Sequence, residues 1–197
     1  MSERYTIDKD IKEAEAMADA LTPYVHENQL YGSTGGGFFS RMPAMTIGGL
    51  LMRLRRLDAL RDHLTSQQTA TLDKAKARNT TVHNEWRVHY EKKMLREANS
   101  RLDAMSHYFE ECASNQRACA NNYGPEVLRR TTVQELLLAM EEHNIESEEL
   151  RQKMLGTDSK LRRYVRPAEF IWADILQDAY PEESFWWMYQ RPPATKK

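Results

Sequence analysis

Cysteine is almost absent from this chain: Cys112 and Cys119 are the only two in 197 residues. Two are too few for the disulfide framework of a small secreted domain and short of the four ligands of a structural zinc site. The expectation is therefore two free thiols in a reducing compartment. Long apolar runs are absent too. No stretch approaches the roughly 20 apolar residues that cross a bilayer, and the opening MSERYTIDKDIKEAEAM lacks the apolar core of a secretory signal. The expected address is cytoplasmic, with no membrane span. Net charge is missing as well, since 28 Lys and Arg stand against 29 Asp and Glu. Such a balance provides no global field to gather nucleic acid or anionic lipid, so any binding of that kind has to be local.

Proline and glycine are scarce, at 7 and 8, and residues 66–113 contain neither. This stretch reads as one very long helix or two nearly collinear ones. Leu95, Leu102 and Phe109 repeat every seven residues, and Ala98, Met105 and Cys112 repeat between them. Such a period makes an apolar coiled-coil seam. Ala75, Val82, Trp86 and Tyr90 extend the stripe less regularly, and the poor helix formers Asn79, Thr80 and Thr81 are the expected place for a bend. Unbroken, the stretch would be roughly 70 Å long at about 1.5 Å per residue, longer than a compact domain of this size is wide. The seam Leu95, Ala98, Leu102, Met105 and Phe109 is accordingly the candidate for self-association, with cover by shorter helices of the same chain as the alternative.

Around that stretch the pattern is helical. Thr6 stands where it can cap a first helix with Ile11, Ala14, Met17, Ala18 and Leu21 at helical spacing, and Pro23 kinks or restarts it. Residues 30–45 form a Gly-rich loop. No Gly-Lys-Ser/Thr follows its glycines and no β-branched strand precedes them, which argues against a phosphate-cradling loop; the expected role is a connector that docks Phe38, Phe39 and Met42 on the bundle. Thr46 caps a leucine-rich helix over 47–64 in which Gly48 and Gly49 suggest close approach of another backbone. A turn at Thr65 and Ser66, with Ser66 as cap, leads into the long helix. After Cys112 comes a polar connection, SNQRACANNYGP, with a helix starting at Pro125 and ending near His143 and Asn144. A last helix begins at Ser147, with Gly156 interrupting or bending it; its acidic start at Glu146, Glu148 and Glu149 and its basic end at Lys160, Arg162, Arg163 and Arg166 complement the helix dipole.

Aromatics are sparse until the last thirty residues, where Phe170, Trp172, Phe185, Trp186, Trp187 and Tyr189 crowd together. They are expected to fold back as a short helix and a strap, the other readings being a base-stacking platform or an interface anchor. The fold class is all-α: an elongated helical bundle in a single domain, 1–197, built on one long, partly coiled-coil-like helix, with the aromatic strap over 167–197.

Few residues offer chemistry. Glu85 and His89 share a helix face, but His83 and His89 are six apart and do not, so HNEWRVHY is not a metalloprotease-type motif. No nucleophile elbow or paired Glu-x-x-His motif occurs. The expectation is no catalytic residue, no metal and no cofactor. The expected function is a non-enzymatic helical scaffold or adaptor acting by self-association or on a protein partner, with Arg53, Arg55, Arg56, Trp186 and Trp187 as partner surface. Two alternatives stand behind it. One is nucleic-acid binding by the basic helix 47–64, in which Arg53, Arg55 and Arg56 contact phosphate and Arg162 and Arg163 assist. The other is a bundle metal site or enzyme using Glu85 and His89.

Overall fold

The computed structural model describes residues 5–35 and 42–193, so Phe38 and Phe39 of the Gly-rich loop lie outside the described residues. The protein is all-α, with α1 (Ile7–His26), α2 (Ile47–Ala59), α3 (Ser66–Glu85), α4 (Arg87–Ser114), α5 (Gln116–Asn121), α6 (Tyr123–Glu142) and α7 (Glu148–Tyr164). Three short 3-10 helices and one antiparallel pairing, β1 (Arg166–Pro167) with β2 (Gln190–Arg191), complete the described chain. It divides into two compact units, Met1–Glu97 and Ala98–Lys197.

The first unit packs α1 against α2 and α3. Ala14, Met17, Ala18 and Leu21 of α1 are buried, as their spacing requires, and Leu50, Leu54 and Leu57 of α2 are buried with them. Thr6 occupies the N-cap of α1 without a side-chain bond. Pro23 is accommodated inside the helix. Its ring supplies no N–H for the Asp19 carbonyl one turn back, and Arg78 Nη2 donates to that oxygen at 3.4 Å. Thr46 caps α2 as expected, accepting from Gly49 N at 3.0 Å. The neighbour that crowds Gly49 is not another backbone: a Cβ there would lie 2.8 Å from Thr46 Oγ1 and 3.0 Å from Met17 Cε. The leucine-rich helix also ends earlier than its pattern implies, at Ala59, with a 3-10 turn over Arg61–His63. At the ends of the Gly-rich loop, Gly32 and Met45 exchange both backbone hydrogen bonds at 2.9 Å. A Cβ on Gly32 would come within 2.6 Å of the Tyr24 ring, whose hydroxyl donates to Leu30 O at 2.7 Å.

The long stretch is two helices, and the break falls at Trp86 rather than at residues 79–81, which stay helical. Thr80 Oγ1 donates back to Lys76 O, so a side chain that disfavours helices elsewhere is satisfied within the turn. The start of α3 is a capping box on Thr65, one residue before the expected cap, with reciprocal bonds between Thr65 and Gln68.

In the second unit, Asn115 caps the short α5 inside what reads from sequence as a polar connection, and α6 begins at Tyr123, two residues before Pro125. Asn144, with φ of 54°, ends the turn after α6. Gly156 neither interrupts nor ends α7. The aromatic tail folds back: Phe170, Tyr180, Phe185, Trp187 and Met188 are buried. Its regular pieces are 3-10 turns at Asp174–Ala179 and Trp186–Tyr189, and the β1–β2 pairing ties its two ends together.

The apolar seam is covered within the single chain. Ala98, Leu102, Met105 and Phe109 are buried and Leu95 is half-buried. Phe109 stacks on Tyr164 of α7 at 6.2 Å, and Lys153 of α7 reaches Asn99 at 2.9 Å and Asp103 at 2.8 Å on α4.

Candidate functional site

The arginines of α2 are turned to structural use. Arg53 Nε and Nη2 donate to Glu13 Oε2 of α1 at 2.8 and 2.5 Å, and its Nη1 donates to Gly49 O at 2.9 Å. Asp10 lies 3.7 Å from Arg53 and 3.8 Å from Arg56. Arg53 and Arg56 are both buried. The sequence picks them as partner or phosphate contacts; the fold instead engages them internally with two acids some 40 residues earlier, which no local pattern reveals. Burial holds the Asp10 carboxyl above its ordinary range, against the pull of Arg56 and Arg53. Arg55 is half-buried on the same helix. At the start of α2, the fully buried Glu97 accepts from Gly48 N at 3.0 Å, a carboxylate at a helix N-terminus.

The break at Trp86 assembles a surface cluster from a residue that the sequence reading places on the apolar stripe and one, His89, that it offers as a metal candidate. Trp86 caps the end of α3 in a non-helical conformation, φ −122° and ψ 35°. His26, from the last turn of α1, meets the Trp86 ring edge-on at 4.3 Å and the His89 ring at 5.1 Å. His89 thus finds a histidine neighbour on another helix, while Glu85 is exposed on the surface. His83 is buried against Tyr90 at 4.9 Å and lies 3.9 Å from Glu91. Among the described residues no group of three or more His, Cys, Asp or Glu is placed to hold a metal ion. Among the exposed residues at the break are two apolar ones, Trp86 at 38% and Val88 at 75%, set between the exposed Glu85, Arg87 and His89.

The second unit has its own buried arginine. Arg130 of α6 makes a two-bonded pair with Asp158 of α7 at 2.7 and 2.9 Å, donates to Gln134 at 3.1 Å, and lies 3.8 Å over the Trp187 ring. Trp187 Nε1 donates to Thr131 at 2.9 Å, and Tyr123 OH donates to the Trp187 carbonyl at 2.6 Å. Trp187 is therefore an internal anchor rather than a partner contact. Trp186 is half-buried under the Arg162 guanidinium at 3.7 Å, which engages an arginine that the nucleic-acid reading assigns to phosphate. Nearby, Glu126 pairs with Arg129 through one oxygen while its other is buried without a hydrogen-bond partner. Burial pushes its carboxyl up to about 7, with Arg129 opposing and Glu111 reinforcing.

Cys112 and Cys119 are joined in a disulfide, which corrects the expectation of two free thiols. Asn115 ends α4 and caps α5, and this tight reversal brings the two Cα atoms to 4.5 Å. The bridge borders a cleft of about 400 Å³ lined also by Arg163, Tyr164, Arg166 and Pro192.

These features define an all-α protein held by buried ion pairs and aromatic anchors, and no helix of the described residues is long and apolar enough to cross a membrane. Set against known proteins, the chain matches no family model, no curated protein and no solved structure.

Proposed function

We propose that the protein is a non-enzymatic helical scaffold or adaptor, working in the cytoplasm by protein–protein contact, with a second copy of itself as the first partner to consider. The observation that carries this reading is the exposed tryptophan at the break between α3 and α4, where Trp86 stands open with His26 and His89 against its ring and Val88 is exposed two residues on. Tryptophan is favoured at the centres of interfaces because one rigid ring buries a large area at little entropic cost. Arg87 and Glu91, paired at 2.7 Å, supply both signs of charge beside it, as a self-complementary contact needs.

Light scattering across a concentration series tests the self-association arm. A mass that rises toward twice the chain and falls back with Trp86→Glu, at unchanged helicity, is the expected result. A wild type that stays monomeric at high micromolar concentration removes self-association. The nucleic-acid alternative is weakened by the internal pairing of Arg53 and Arg56, and a salt-titrated binding assay with no salt-dependent affinity would dismiss it.

A further inference from the structure

We propose that the cleft beside Cys112 and Cys119 admits an anionic low-molecular-weight thiol, which exchanges with the disulfide there. The inference stands apart from the partner surface at Trp86 and does not depend on it. It starts from access. The two cysteines are nearly buried, at 7% and 2%, yet both border the cleft, so a small molecule entering it meets sulfur that larger reagents do not. The charge of the lining is one-sided. Arg163 and Arg166 contribute two exposed cations, and the remaining lining side chains are small, aromatic, proline or neutral polar groups with no carboxylate among them. Arg166 is held in place by its own backbone surroundings, donating to the carbonyls of Val165 at 2.6 Å and Arg163 at 3.4 Å. A volume of about 400 Å³ falls in the range that encloses a molecule of tripeptide size.

The exchange balances within the named reactants. The thiolate of the incoming molecule attacks Cys112 Sγ, the more exposed sulfur; the bond to Cys119 breaks, and its electron pair leaves on Cys119 Sγ, which takes a proton from water. Tyr108 Oη donates to the Cys119 carbonyl at 3.0 Å and lies 3.3 Å from that sulfur, so turning its one proton from the carbonyl to the departing thiolate stabilises the leaving sulfur once the bridge opens. A second thiolate then attacks the small-molecule sulfur of the mixed disulfide and releases Cys112. The net change is two small thiols oxidised to one small disulfide and one protein disulfide reduced to two thiols. In a reducing compartment, a disulfide of this kind is an exchanging one rather than a permanent staple.

The test uses the folded full-length chain and three thiols of different charge: glutathione (anionic), 2-mercaptoethanol (neutral) and cysteamine (cationic). Each rate of bridge opening is divided by that thiol's rate on the same chain unfolded in urea, which cancels intrinsic nucleophilicity. At low ionic strength the normalised rates should rank anionic above neutral above cationic, with about a tenfold span from two cations at a few ångströms in water. Half-molar salt should flatten that span. The double substitution Arg163→Glu and Arg166→Glu should invert the order at unchanged helicity, and Arg163→Lys with Arg166→Lys should keep it. Normalised rates that do not depend on thiol charge would overturn the proposal. So would a bridge that no thiol opens without denaturant, or a purified chain that carries two free thiols before any reductant is added.

Discussion

Each unit buries an arginine, and the two are satisfied differently. In the first unit, Arg53 takes one oxygen of Glu13 and stands 3.7 Å from Asp10, which it shares with Arg56. The charge is spread over four side chains, and Asp10 remains above its ordinary pKa range because burial outweighs two distant cations. In the second unit, Arg130 meets a single carboxylate through both of its oxygens and covers an indole with its face. A shared cluster tolerates the loss of one member, since another acid or base stands near. A one-to-one pair does not. The difference also marks where each unit leaves apolar surface: Trp187 is drawn inside by Arg130, whereas Trp86, at a helix break with His26 and His89 against its ring, remains open.

The largest expected effect comes from removing the strap that Arg130 anchors. A chain ending at Ser184 loses the buried Phe185, Trp187 and Met188. At about 1.5–3 kcal/mol for each buried side chain, this exceeds what a marginal fold can spare. Thermal melts followed by near-ultraviolet circular dichroism should lose the cooperative signal of the second unit; a melt identical to the full chain's would show that the strap is a partner segment instead. Next, Arg130→Ala should cost about 3–5 kcal/mol, because Asp158 is left buried and unpaired. Its counterpart Glu13→Gln should cost about 1–3 kcal/mol, since Arg53 keeps Asp10 and Gly49 O. Urea titrations of both variants decide the comparison, and equal losses would refute the distinction between shared and exclusive pairing.

A smaller effect distinguishes the units by pH. Glu126, pushed up to about 7 by burial, binds its proton more tightly folded than unfolded. Its contribution is therefore fully present below the unfolded value near 4.5 and is lost as pH rises through about 7. The melting temperature should fall between pH 5 and pH 8, and Glu126→Gln should flatten that slope. Asp10 shifts in the same direction from the first unit, so the flattening is partial. A slope that Glu126→Gln leaves unchanged would place the burial penalty elsewhere.

The helices were legible because their signals are local. Thr46 caps α2 with a side-chain bond, the leucines of α2 mark its buried face, and Ala98, Leu102 and Met105 mark that of α4. What the sequence concealed depends on partners far along the chain. The basic face of α2 reads as a surface until Asp10 and Glu13 are brought against it. The disulfide depends on α5, six residues long and hidden in a polar connection, and the break depends on Trp86 rather than on weaker helix formers nearby. A heptad marks the positions that become buried, Ala98, Leu102, Met105 and Phe109, but does not say what covers them; Phe109 is met by Tyr164 of α7, more than 50 residues on. The candidate surface was not legible: Trp86 reads as part of the apolar stripe and His89 as a metal candidate with Glu85, and His26 arrives only by folding, from 60 residues upstream of Trp86.

The contrast between an open tryptophan and a closed one is tested most directly by site-specific photo-cross-linking in living cells. A benzophenone side chain is placed at Val88 and, as the control, at the exposed Leu155 of the second unit. Discrete adducts are expected from position 88, either to a second copy of the chain or to one other protein, that disappear with Trp86→Ala and do not form from position 155. Adducts of the same pattern and yield from both positions, or none from position 88, would contradict it.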